Sequence, residues 1–258
     1  MNKIRYFLGI IDLQTIIVTA LALASTFFCR RFNLAAEMPT GLIGVAIIFP
    51  IVFSINAAYR RREEALRYFA SYKAHALALY YAHRDWVPEG RPDQAERGRG
   101  LIQEILAATD RYFTATESER EERFRELYHI FSQTSASHEK LRAAGVPANE
   151  VSRANQYLRA MMIELERMRN ILLYRTPKSL RAYSWVFLNC FPIFFGPYFA
   201  YLAAEYYVSL GYGVAALYSL VLVSLDNIQE GLENPFDQVG ADDIDLNVGA
   251  QYQPLLED

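Results

Sequence analysis

The stretch Val52–Phe69, VFSINAAYRRREEALRYF, decides how this chain is folded. It begins at the end of an apolar run, passes Asn56, and meets three consecutive arginines at Arg60–Arg62 with no proline or glycine between. A helix leaving a bilayer usually breaks near its first charges. Nothing in this sequence stops it, so the reading predicts one helix that crosses the membrane and continues into water.

The rest of the chain supports that reading. It is 52% hydrophobic and 21% charged, but the two classes are segregated: charges are nearly absent from about 6–58 and 184–225 and crowded between about 59 and 182. A soluble domain interleaves the two classes, so the pattern is that of a membrane protein with a polar middle. Four crossings are expected. The first is Tyr6–Cys29, with Asp12 about a turn and a half inside it as a capping, pairing or water-facing carboxylate. The second runs from Thr40 to about Tyr59. The third runs from Ser184 to about Val208, through Pro192 and Pro197, which are tolerated where a neighbour satisfies the freed carbonyl. The fourth is a short run, Tyr212–Leu225, after the turn residues Gly211 and Gly213.

An even count puts both termini on one side. Lys3, Arg5 and Arg60–Arg62 favour the cytoplasm over Arg30 and Arg31 in the opposite loop. The expected division is therefore 1–58 (two membrane helices), 59–182 (cytoplasmic), 183–226 (two membrane helices) and 227–258 (an acidic cytoplasmic segment). The cytoplasmic part is rich in Ala, Leu, Glu and Arg, and its helices are expected to break near Val87–Pro92, Thr114–Thr116 and Gly145–Asn149. The fold class is all-α. The bilayer is the expected surrounding, and the first apolar run is too long for a cleavable signal and lacks a small-residue cleavage site.

Charge and motif content narrow the function. Residues 59–182 carry 22 Lys/Arg against 17 Asp/Glu, whereas 226–258 carry 9 acidic residues and no basic one. A tail of that kind either folds back on the basic body or is solvated. The basic residues are dispersed among acids, which argues against nucleic-acid binding. The two cysteines, Cys29 and Cys190, lack framework spacing, and the four histidines lack metal-ligand spacing. No glycine-rich phosphate loop, HExxH, CxxC or nucleophile elbow is present, so neither an enzyme nor a cofactor is expected.

Within the second crossing Val45, Phe49 and Phe53 recur at i, i+4 and i+8, one stripe of a helix. Such a stripe suits packing against another helix, contact with lipid, or the lining of a constriction. Three stretches then resemble one family, the bestrophins, and most closely their shorter bacterial members. In FSINAAYRRREEA the matching positions are Phe53, Asn56, Tyr59, Arg61, Glu64 and Ala65. YRTPKSLRAY (Tyr174–Tyr183) resembles the Thr-Pro stretch before the third helix, and LDNIQEGLENPFD (Leu225–Asp237) carries the family's Asn-Pro-Phe at Asn234, Pro235 and Phe236.

The resemblance implies a homopentameric channel, a ring of five chains around an axial pore. It makes Val45, Phe49 and Phe53 an apolar neck, closed by dewetting. It also implies a second constriction before the third helix. Counting from Thr176-Pro177 selects Lys178, and counting back from Tyr183 selects Ser179. Lys178 either faces the axis, favouring anions such as chloride, or snorkels to the membrane surface beside Arg175 and Arg181. Animal members hold calcium with acids after Asn-Pro-Phe. Here Asp242, Asp243 and Asp245 come one residue late and Gly231 stands in a glutamine position, so no metal is expected and Asn234, Pro235 and Phe236 are read as a structural turn. A cation-selective channel, a membrane-anchored helical interaction protein and a secondary transporter are the other classes, although the inverted repeats of the last are not seen.

Overall fold

The computed structural model describes residues 11–88, 92–174, 178–239 and 242–257, with the backbone alone at 40, 42, 43, 46, 47, 92, 178–181 and 184. It consists of helices: α1 (Leu13–Arg31), α2 (Thr40–Asp85), α3 (Pro92–Thr114), α4 (Arg120–Ala143), α5 (Ala148–Leu173), α6 (Lys178–Phe194), α7 (Gly196–Glu205), α8 (Val208–Glu233) and α9 (Gly249–Glu257). The quoted stretch lies wholly inside α2, which continues for 46 residues through Pro50 and past the arginines. Two compact units result: Met1–Arg61 with Arg175–Glu233, and Arg62–Tyr174 with Asn234–Asp258. The first boundary falls within α2, so that helix belongs to both.

The first unit combines α1, the start of α2, and α6 to α8. Among the described residues three stretches are long and apolar enough to cross a membrane: Leu13–Arg31, Trp185–Glu205 and Val208–Glu233. The remaining expected crossing is the start of α2, where several side chains lie outside the described residues. The core is aromatic, with Phe195 and Phe199 buried beside Leu188 and Leu222 and Tyr218 packed on both rings. Pro197 has no N–H to offer the Ile193 carbonyl four residues back. The Ser25 hydroxyl of α1 donates to it instead at 2.8 Å, the substitution by a neighbour that a proline in a membrane helix requires.

Two sequence expectations are sharpened here. Of the roles open to Asp12 it takes the capping one, at the start of α1 rather than a turn and a half inside it, its Oδ1 accepting from the Thr15 N–H at 2.8 Å and the Thr15 hydroxyl at 2.9 Å. A free carboxylate oxygen at a helix start satisfies an otherwise orphaned donor, so the charge marks the end of the helix. The fourth run is also longer than expected. α8 begins at Val208, passes straight through Gly211 and Gly213, and reaches Glu233, where Asn234-Pro235 ends it. Gly211 serves as a contact rather than a turn, since an added Cβ would sit 2.5 Å from the Ala203 Cβ of α7 and strike the Phe199 carbonyl.

The second unit packs the remainder of α2 with α3, α4, α5 and the C-terminal segment. Helix breaks fall where Pro and Gly predict them. Pro92 opens α3, and Gly145 at φ +100° closes α4, with the Gly145 N–H donating to the Arg142 carbonyl and the Val146 N–H to the Leu141 carbonyl, both at 3.1 Å. The core contains Phe69, Tyr72, Leu79, Phe113, Phe131, Leu165 and Met168. A close approach of α3 to α2 is set by Gly98, where a Cβ would lie 2.5 Å from the His83 Cβ.

The tail folds back, chiefly through apolar residues rather than its acids. Phe236, Ile244, Leu246, Val248 and Leu256 are buried in this core, and Phe236 lies on Phe113 at 4.5 Å between centroids. Three α2 side chains hold it in succession. Arg62 Nε donates to the Asp242 carbonyl at 2.6 Å, Lys73 Nζ lies 5.5 Å from the Tyr252 ring centroid, and the Tyr80 hydroxyl donates to the Leu256 carbonyl at 2.7 Å. Burial lowers the Lys73 pKa, an effect that Asp245 opposes.

Candidate pore-lining face

The two sides of α2 differ over the described side chains from Val45 to Arg67. Ile51, Ser54 and Ala58 are buried, each with 1% exposure, and Ala65, Phe69 and Tyr72 continue that side into the second unit's core. The opposite side is uncovered. Val45, Phe49 and Phe53 are 54%, 58% and 64% exposed, with the two rings 6.1 Å apart. At 100° per residue these positions and Asn56 and Arg60 stay within about 80° of one another around the helix. Asn56 and Arg60 are exposed as well. A single strip therefore runs from large apolar side chains to an amide and then a guanidinium.

The other residues named by sequence are distributed as follows. Tyr59 and Glu64 are exposed on α2, and Arg61 is half-buried. Arg62, beside them, pairs with Glu63 at 2.9 Å. Lys178 and Ser179 begin α6, but their side chains, like the preceding Thr176-Pro177, lie outside the described residues. Asn234, Pro235 and Phe236 are buried and form a turn: Asn234 Nδ2 donates to Asp237 Oδ2 at 2.8 Å, and the Ile244 N–H to the Pro235 carbonyl at 2.8 Å. Of the acids after it, Asp242 and Asp245 are exposed and Asp243 half-buried. No cluster of three or more metal-ligating side chains occurs among the described residues.

Two polar clusters were not found by sequence reasoning. Asn189 of α6 accepts from Gln14 of α1 at 2.7 Å and donates to the Trp185 carbonyl at 2.8 Å and to Asp226 of α8 at 3.1 Å, tying three helices together. In the second unit the buried His83 and His138 rings lie 5.7 Å apart. His83 Nδ1 is 2.9 Å from the Leu79 carbonyl and Nε2 is 2.9 Å from Ser137 Oγ, while His138 Nδ1 is 2.7 Å from Asn155 Oδ1. Burial lowers both pKa values, that of His83 to about 4, with positive charge at Arg97 adding to the effect there. Spacing gives no sign of this pair, because 83 and 138 meet only once α2 and α4 are packed.

The fold and this face define an integral membrane protein built of helices. No protein-family model matches the sequence, and no curated protein sequence matches it either. Solved structures do. A point variant of a bacterial bestrophin homolog from Klebsiella pneumoniae superposes with a TM-score of 0.79 at 17% identity, over 94% of this chain and 94% of that one. A second variant matches 100% of this chain and 98% of that one with a TM-score of 0.75 at 19% identity. A further structure of that homolog gives 0.78 at 17% identity, over 95% and 96%. The chain has the bestrophin fold.

Proposed function

We propose that the chain is a bestrophin-type subunit of a homopentameric ion channel, conducting small inorganic ions passively with anions such as chloride favoured. The observation that carries this reading is the uncovered strip of α2. A lone membrane helix facing lipid gains nothing from an asparagine and an arginine in line with its apolar stripe. Five copies facing a common axis would present an apolar neck at Val45, Phe49 and Phe53, followed by a hydrated, wider passage. The start of α2 is then the fourth crossing, with both termini and residues 59–182 in the cytoplasm of a bacterial cell and Lys178 or Ser179 at a second constriction. The surplus of basic residues over 59–182 supports the anion preference.

The test is planar-bilayer recording of purified pentamers under a salt gradient. A reversal potential near the chloride value supports the reading, and one near the cation value keeps the channel but reverses its selectivity. The variant Phe49→Ala/Phe53→Ala should pass more current than wild type, because smaller rings widen and wet the neck. Unchanged current in a well-folded double variant removes the neck assignment.

A further inference from the structure

The polar end of the α2 strip contains a charge that the neck does not need. Arg60 lies two helical turns after Phe53, about 10 Å along the axis at 1.5 Å per residue. It shares the uncovered side with Val45, Phe49, Phe53 and Asn56. Its neighbours are used within the chain: Arg62 holds Glu63 and the Asp242 carbonyl, and Arg61 is turned partly inward. Arg60 forms no hydrogen bond or ion pair among the described residues. Glu64, one turn further on, is exposed too, but is not paired with Arg60.

An arginine at this depth has two natural uses. It either lifts its guanidinium to lipid headgroups or presents it to water inside the assembly. The strip decides between them. Arg60 continues the line of Phe49 and Phe53, so the side of α2 that faces the axis at those rings faces it at Arg60 as well. We propose that Arg60 sets the charge selectivity of the pathway: its copies form a cationic ring at the inner end of the apolar neck, concentrating small inorganic anions and repelling cations. This rests on the channel reading above. The ring acts at the inner mouth of the neck, where its potential raises the local concentration of anions over cations among the ions about to enter. Glu64 opposes it from a greater distance, so the two residues give variants of opposite sign.

The experiment is a measurement of anion-to-cation permeability from reversal potentials in planar bilayers. Verified pentamers of wild type, Arg60→Gln, Arg60→Lys and Glu64→Gln are compared, each also in the Phe49→Ala/Phe53→Ala background so that current flows. Arg60→Gln should lower the ratio by about tenfold, the lower end of what a charged cleft does to local ion concentration. Arg60→Lys should retain the ratio, and Glu64→Gln should raise it. A conducting Arg60→Gln pentamer with the wild-type ratio overturns the assignment while leaving the channel intact. Absence of current even from the neck-widened protein overturns the channel reading and this inference together.

Discussion

Replacing His83 with glutamine should flatten the acid limb of the protein's stability. The His83 ring is 1% exposed between α2, α3 and α4. The Leu79 carbonyl can only accept, so the neutral ring carries its proton on Nδ1. Burial, the neighbouring His138 and the charge on Arg97 hold the folded pKa near 4, against an ordinary value of 6.5. Above that ordinary value the ring is neutral in both states and contributes no pH dependence. Between the two values the unfolded chain binds a proton that the folded chain refuses, and stability falls by about 1.4 kcal/mol per pH unit. The loss assigned to this ring totals about 3 kcal/mol and levels off below the folded value. His138, also held low by burial, adds to it in the same direction. The assay is chaotrope unfolding of the detergent-solubilised full chain at pH 7.5 and 4.5, for wild type and His83→Gln. Taking the difference between the two pH values within each protein removes the cost of the substitution itself. If both proteins lose the same stability on acidification, His83 is not the buried titrating group described here.

Two further substitutions test the packing of each unit separately. Gly211→Val forces a side chain into the α7 backbone at Phe199 and should destabilise by about 1–3 kcal/mol, read as a lowered melting temperature in detergent. An unchanged melt would mean that α7 and α8 do not approach so closely. Phe236→Ala empties a buried site against Phe113 and should cost about 3–5 kcal/mol, with faster proteolysis of the segment after Asn234 as the local readout. Protease resistance equal to wild type would detach the tail's order from this ring.

What the sequence made legible followed from strong, local signals. The uninterrupted run from Val52 to Phe69 has no breaker, and α2 runs through it. Pro92 and Gly145 act on the residues beside them, so the helix breaks they mark appear where expected. The misreadings came from residues whose role is set by a distant partner. Gly211 looks like a turn until the α7 backbone is placed against it. Asp12 could cap, pair or face water, and only the Thr15 N–H and hydroxyl turned back to it select the cap. The tail's acids dominate its composition, whereas its placement depends chiefly on five apolar side chains, of which only Ile244, Leu246 and Val248 alternate, too short a run to show which core they enter. The stripe Val45, Phe49 and Phe53 was readable as a helix face, and its exposure in the single chain is new information. Asn56 and Arg60 extend it by simple helical arithmetic, yet Arg60 attracts no notice in a cluster of three arginines until burial separates them.

The tail held by Arg62, Lys73 and Tyr80 has a consequence for how the protein is made. Translation proceeds from the amino end at about 5–20 residues per second, and early domains generally fold before later ones appear. The second unit cannot follow that order. Its helices α2 to α5 emerge before α6, α7 and α8, but the residues that fill their core, from Phe236 to Leu256, emerge after all of these. The apolar helices must therefore be delivered to the bilayer while the polar unit still has an open seam beside Phe113 and Tyr80. Insertion comes first and closure second: the polar unit is completed by Phe236, Ile244, Leu246, Val248 and Leu256 only after the apolar helices have been made.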